Sequence, residues 1–121
     1  MKRILLAEDR AASRELIRAV LESSGYAVTE AADGRQAVDL AKRCDPDLLL
    51  LDLQMPALDG FGVLTELRAD FRFQAVPFVA LTANAMQGDR ERALAAGFTA
   101  YITKPVNLAA LRRELARLLP L

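Results

Sequence analysis

Five short apolar runs, each followed by a helical stripe, set the strongest limit on what this chain can fold into. Residues 4–7, 48–51 and 78–81 are continuous apolar runs of strand length. Residues 26–31 and 98–103 alternate instead, with Tyr26 and Val28 on one face of the first, and Phe98, Ala100 and Ile102 on one face of the second. A strand covered by helices on both faces needs apolar side chains throughout, whereas a less covered strand needs them only at every second position. The continuous runs predict central strands of a parallel sheet and the alternating runs its edges. Helical stripes lie between them: Leu16, Ile17, Val20 and Leu21; Ala37, Leu40, Ala41 and Cys44; Leu64, Leu67 and Phe71; a weak one of Met86, Ala93 and Ala96; and Leu108, Leu111, Leu115 and Leu118. Gly25, Asp33-Gly34, Asp45-Pro46, Asp59-Gly60, Pro77 and Gly97 punctuate the boundaries. The pattern predicts a (βα)5 chain, hence an α/β fold with right-handed crossovers.

These ten elements consume residues 1–121, so a single domain with no separate output domain is expected. Sixteen Lys and Arg balance sixteen Asp and Glu, which argues against a direct nucleic-acid or anionic-membrane binder. Cys44 is the only cysteine, so no internal disulfide forms. No apolar stretch approaches the ~18 residues of a membrane span and no signal-peptide pattern is present, so a cytoplasmic location is expected.

In an open α/β sheet, ligands bind at the carboxyl ends of the strands. The first predicted strand ends in Glu8 and Asp9, the third in Asp52, the fourth in Thr82 and the fifth in Lys104. If the first, third and fourth strands are neighbours, these side chains share one mouth. Carboxylates about 4 Å apart repel by up to ~4 kcal/mol at an effective dielectric near 20, so such a cluster calls for a cation. All-oxygen ligands suit Mg²⁺. An ammonium and a hydroxyl beside it suit the oxygens of an anion, and a carboxylate nucleophile completes a set fitted to phosphoryl transfer onto an aspartate.

Glu8-Asp9, Asp52 within Leu50-Leu51-Asp52-Leu53-Gln54-Met55-Pro56, Asp59-Gly60, Leu81-Thr82-Ala83 and Lys104-Pro105, in this order and at these intervals, resemble the receiver domain of two-component response regulators. The resemblance covers essentially the whole chain. It implies a doubly wound, flavodoxin-like sheet of order 2-1-3-4-5. It further implies that Asp52 accepts a phosphoryl group from a phosphohistidine on a histidine kinase or phosphotransfer protein. Asp9, Asp52 and the backbone carbonyl of Gln54 would ligate Mg²⁺ (or Mn²⁺), with Glu8 acting through water. Lys104 and Thr82 would hold phosphoryl oxygens with the backbone N–H of Ala83. Pro105 would follow a cis peptide bond, Tyr101 would be the aromatic switch responding to Thr82, and Gln54 and Asn84 would tune hydrolysis of the phosphoryl group. The implied protein is a signalling switch that catalyses only its own phosphorylation and dephosphorylation. It would signal through helix 4, strand 5 and helix 5 to an unidentified output protein, as a monomer or a weak phosphorylation-dependent dimer.

Plainer readings compete at single positions. Glu8 and Asp9 could cap the first helix, Asp59 reads better as the cap of the third helix than as a metal ligand, and Asp33, Asp45 and Asp47 read as turn residues. Thr82 and Tyr101 suit any strand. Lysine is scarce beside arginine in this chain, so Lys104 is not a default surface cation. At the level of function, a pseudo-receiver acting only as a docking module would be expected to lack part of the acid set. An aspartate-nucleophile phosphohydrolase would resemble a DxD pattern, where this chain has Gln54, which cannot donate as an acid. A flavin carrier would need a Ser/Thr/Gly-rich phosphate loop after the first strand, and none follows it.

Overall fold

The computed structural model describes residues 1–83 and 88–121. Its elements alternate as β1 (Arg3–Ala7), α1 (Ala11–Ser23), β2 (Ala27–Ala31), α2 (Gly34–Cys44), β3 (Leu48–Asp52), α3 (Gly60–Arg68), β4 (Phe78–Thr82), α4 (Asp89–Ala96), β5 (Ala100–Thr103) and α5 (Leu108–Leu118). The strands pair in parallel in the order β2-β1-β3-β4-β5. This is the doubly wound, flavodoxin-like sheet. Every residue of β3 and β4 is buried, while β5 alternates buried Ala100 and Ile102 with half-buried Tyr101 and Thr103.

Strand alternation splits the core in two. Leu5, Ala7, Leu49, Leu51, Phe78 and Ala80 face α2, α3 and α4. Ile4, Leu6, Leu48, Leu50, Val79 and Leu81 face α1 and α5, which contribute Ile17, Val20, Leu21, Leu111 and Leu115. Burying a side chain of this size contributes about 1.5–3 kcal/mol, so the two layers supply the dominant driving force for folding.

Three helical-stripe assignments differ in detail. Leu16 is 57 % exposed and lies outside the buried edge of α1. Phe71 does not extend α3, which ends at Arg68; a 3-10 turn at Phe71–Phe73 turns Phe71 out and buries Phe73. The cause is Arg68, whose guanidinium donates to the carbonyls of Phe73, Gln74, Val76 and Gly97 and folds the chain back. In the fourth stripe Ala93 is buried and Ala96 exposed, and Met86 lies outside the described residues. At the last strand, Phe98 joins the α2–α3–α4 side instead of lying with Ala100 and Ile102. It precedes β5, after Gly97 at φ 117°, so strand alternation does not govern it. Its ring meets Phe61 edge-on at 5.8 Å. Among the described residues no helix is long and apolar enough to cross a membrane.

Candidate functional site

The parallel register carries the ends of β1, β3 and β4 to one edge of the sheet. Past β1, the N–H of Glu8 donates to Ala31 O at 3.1 Å, and past β3 that of Leu53 donates to Leu81 O at 2.9 Å. Thr82 ends β4 opposite Thr103, and its carbonyl accepts from the N–H of Lys104 at 2.7 Å. Backbone pairing thus places Glu8, Asp52, Thr82 and Lys104 before any side chain is oriented. Glu8, Asp52 and Thr82 are the buried polar residues here, 0 %, 5 % and 3 % exposed.

The side chains converge as well. Glu8, Asp9 and Asp52 each offer a carboxylate oxygen, and these oxygens lie within 4.8 Å of one another. The ammonium of Lys104 donates to both Glu8 Oε2 and Asp52 Oδ2. Asp52 Oδ1 accepts from the backbone N–H of Gln54 at 2.9 Å, which fixes the carboxylate plane. Glu8 Oε1 accepts from the N–H of Arg10 at 3.1 Å, while Arg14 donates to the Glu8 carbonyl at 2.9 Å. The N-cap of α1 is Arg10 and no side chain caps that helix, so Glu8 and Asp9 are not its caps. Asp59 does cap α3, accepting from Gly62 N–H at 2.8 Å, and Asp33 caps α2 through Gln36 N–H at 2.8 Å.

The loop after Asp52 returns on itself: a Cβ at Gly60 would stand 2.5 Å from the Asp52 carbonyl oxygen. Only glycine permits this approach, so the start of α3 is seated directly against the acid-bearing strand end. The Lys104–Pro105 peptide bond is cis.

Electrostatics follow from one ammonium shared between two buried carboxylates. Burial raises the Glu8 pKa, with Asp52 pushing the same way, and Lys104 and the Arg10 N–H offset this only in part. Burial would lower the Lys104 pKa, but its bonds to Asp52 and Glu8 outweigh that and raise it. Three carboxylates against one ammonium leave the mouth short of positive charge, and its hard oxygen donors fit a small divalent cation such as Mg²⁺.

Tyr101 stands apart from the mouth, among the residues of α4, β5 and α5. Its hydroxyl accepts from Thr103 Oγ1 at 3.1 Å, and the Arg90 guanidinium lies 5.8 Å from its ring. Ala83 and the Gln54 side chain are exposed beside the mouth, and Asn84 lies outside the described residues. Sequence reasoning missed the Gln54 N–H bond to Asp52, although an aspartate bonding two residues ahead is ordinary turn chemistry. It also missed the contacts of Arg10 and Arg14 to Glu8; the Arg14 contact spans six residues with no local pattern.

The family model for the response regulator receiver domain matches residues 4–116. The chain belongs to that family. A polar-differentiation response regulator, DivK of Brucella ovis, is 38 % identical to this receiver domain over 107 residues, 88 % of this chain and 87 % of the relative. The receiver domain of sensor histidine kinase PA1611 from Pseudomonas aeruginosa PAO1 superposes with a TM-score of 0.89 at 47 % identity, covering 97 % of this chain and 96 % of that one. Its structure holds a magnesium ion coordinated in the active site cleft. The receiver domain of the response regulator Ssk1 from Saccharomyces cerevisiae, solved with the histidine phosphotransfer protein Ypd1, has a TM-score of 0.88 at 31 % identity over 97 % of this chain and 88 % of that one.

Proposed function

We propose that this receiver domain is a phosphorylation-controlled switch whose phosphoacceptor is Asp52. The observation that carries the reading is the convergence of Glu8, Asp9, Asp52 and Lys104 on one strand-end mouth. Asp52 attacks the phosphorus of a phosphohistidine on a histidine kinase or phosphotransfer protein. An O–P bond forms, the N–P bond breaks, and the imidazole leaves and takes up a proton. The Gln54 N–H and Lys104 hold the Asp52 carboxylate in a single orientation, which lowers the entropic cost of attack. After transfer, Lys104, the Thr82 hydroxyl and the Ala83 N–H bind phosphoryl oxygens. Asp9, Asp52 and the Gln54 carbonyl are the residues to hold Mg²⁺, with Glu8 through water; the ion would supply charge neutralisation at the transferring group. Gln54 and Asn84 tune the lifetime of the phosphoryl-aspartate. The domain acts on no separate substrate and works in the cytoplasm.

The docking side for the phosphodonor protein lies against α1. A groove of about 420 Å³ beside Lys104 is lined by Leu16, Ile17, Ala83, Pro105 and Val106. The exposed Leu16 gives the partner an apolar seat in the groove that Lys104 also lines. Output leaves through α4, β5 and α5, with Tyr101 responding to the movement of Thr82.

Intact-mass measurement with Mg²⁺ and acetyl phosphate tests the assignment. Wild type gains one phosphoryl group and Asp52→Asn gains none, because an amide does not attack. Equal labelling of the variant would place the nucleophile elsewhere.

A further inference from the structure

Charge is unevenly distributed on this balanced chain. Two grooves flank Tyr101. One, of about 470 Å³, is lined by Tyr101, Asn107, Ala110, Arg113 and Glu114. The other, of about 340 Å³, is lined by Arg90, Leu94, Tyr101, Glu114 and Arg117. Three guanidinium groups therefore meet one carboxylate; Arg117 donates to both oxygens of Glu114, at 2.7 and 3.2 Å, so that pair is closed and Arg90 and Arg113 carry the positive excess. On α4, Glu91 lines neither groove and folds back to accept from the N–H of Gly88 at 2.8 Å. Asp89 lines a different groove with Thr82 and Phe61. Between the arginines lies apolar surface, with Leu94 42 % exposed and the Tyr101 ring half-buried.

We infer that this surface docks an acidic protein segment, one that seats an apolar side chain against Leu94 and Tyr101 and presents carboxylates to Arg90 and Arg113. The inference rests on the reading of α4, β5 and α5 as the output surface and adds the chemistry of what binds there. Arginine at both positions suits carboxylates, since its planar fork donates to both oxygens. A second copy of the chain is disfavoured, because a two-fold contact through this face would bring two surfaces with the same positive excess together. A nucleic acid is disfavoured as well. Three cations on a chain of zero net charge, arranged around an apolar floor, are a poor electrostatic footprint for a polyanion.

The test is selection of a random peptide display library against the protein loaded with Mg²⁺ and beryllofluoride, a phosphoryl mimic. Enriched peptides should combine an acidic excess with an apolar residue. A synthesised winner should lose about tenfold or more in affinity against Arg113→Glu, and against the separate variant Arg90→Glu, and should weaken as ionic strength rises. Enrichment of neutral or basic peptides, or affinity indifferent to charge reversal, would overturn the inference. So would loaded protein that self-associates through this face, or that binds a DNA oligonucleotide there more tightly than the peptide. Acetyl phosphate labelling, followed by intact mass on the same preparations, separates the two layers of argument. Normal labelling at Asp52 with no acidic preference defeats this inference alone, whereas wild type that takes no phosphoryl group defeats the proposed switch beneath it.

Discussion

Lys104 is the residue on which the resting mouth depends. Its ammonium is the cation nearest two carboxylates that are almost wholly buried. Removing it leaves those charges uncompensated, so metal-free Lys104→Met should be destabilised by about 2–4 kcal/mol. Removing one acid should act in the opposite direction. Metal-free Asp52→Asn keeps the Lys104–Glu8 pair and sheds one repelling charge, and should melt above wild type by about 1 kcal/mol. Mg²⁺ at 100 times its dissociation constant should stabilise wild type by ~2.7 kcal/mol and Asp52→Asn by less, one ligand having gone. Thermal scans with and without Mg²⁺ decide the order; an Asp52→Asn protein less stable than wild type would show the acids to be structurally paired. Tyr26 supplies a pH test away from the mouth. It is 4 % exposed, its hydroxyl donates to Leu119 O at 2.8 Å, and burial raises its pKa above the ordinary phenol value. A raised folded value means that the protonated form is favoured on folding. The stabilisation is thus complete below about pH 10 and is lost as pH rises through the folded value. Tyr26→Phe should cost about 1 kcal/mol at neutral pH, and denaturant titrations should show that gap closing above about pH 10.

At the scale of elements, α3 illustrates how the site is held from outside. Asp59 caps it from an exposed position and Gly60 presses it against the Asp52 carbonyl. Asp59→Ala should therefore cost about 1 kcal/mol of stability while leaving acetyl phosphate labelling unchanged. A lost Mg²⁺ response in that variant would return Asp59 to the metal site. Gly60→Ala should be worse on both counts. The backbone oxygen 2.5 Å from the added Cβ cannot yield without moving the strand end, so labelling of Asp52 should slow along with a fall of ~2 kcal/mol or more in stability.

For the molecule as a whole, the proposed switch needs a path from Thr82 to the proposed output surface of α4, β5 and α5. Thr82 and Thr103 are register partners, and Thr103 bonds the Tyr101 hydroxyl. A shift of Thr82 toward phosphoryl oxygens thus reaches Tyr101 through one strand pair. The free energy available is the differential affinity of two states for the phosphoryl group, so the unphosphorylated protein should already sample the active form. Tyr101→Ala should be phosphorylated at Asp52 nearly as wild type is, yet bind an output partner with reduced dependence on phosphorylation. NMR shifts on adding beryllofluoride should reach from Thr82 through Tyr101 to the start of α5. Shifts confined to the mouth, with Tyr101 silent, would refute the route.

Local chemistry, repeated along the chain, determined the alternation of strands and helices, the central and edge strands and the residues at each strand end; these depend on periodicity and on turn formers a few residues away. Leu48 to Leu51, a short apolar run between Asp45-Pro46 and Asp52, suited a doubly covered strand, and Asp52 at its end could be located without a structure. Other features depended on contacts remote in sequence. Lys104 lies 96 residues from Glu8, and that one ammonium bridges Glu8 and Asp52 is a consequence of the register that brings three strand ends together. Arg68 turned Phe71 outward by collecting carbonyls from two loops, and Phe98 changed sides because β5 began later than its apolar pattern suggests. The clustering of Arg90, Arg113 and Arg117 around Tyr101 is likewise invisible in a chain whose charges sum to zero. A periodic pattern records which face of an element is buried; what that face meets is set by how the elements pack, and there tertiary structure alone decided.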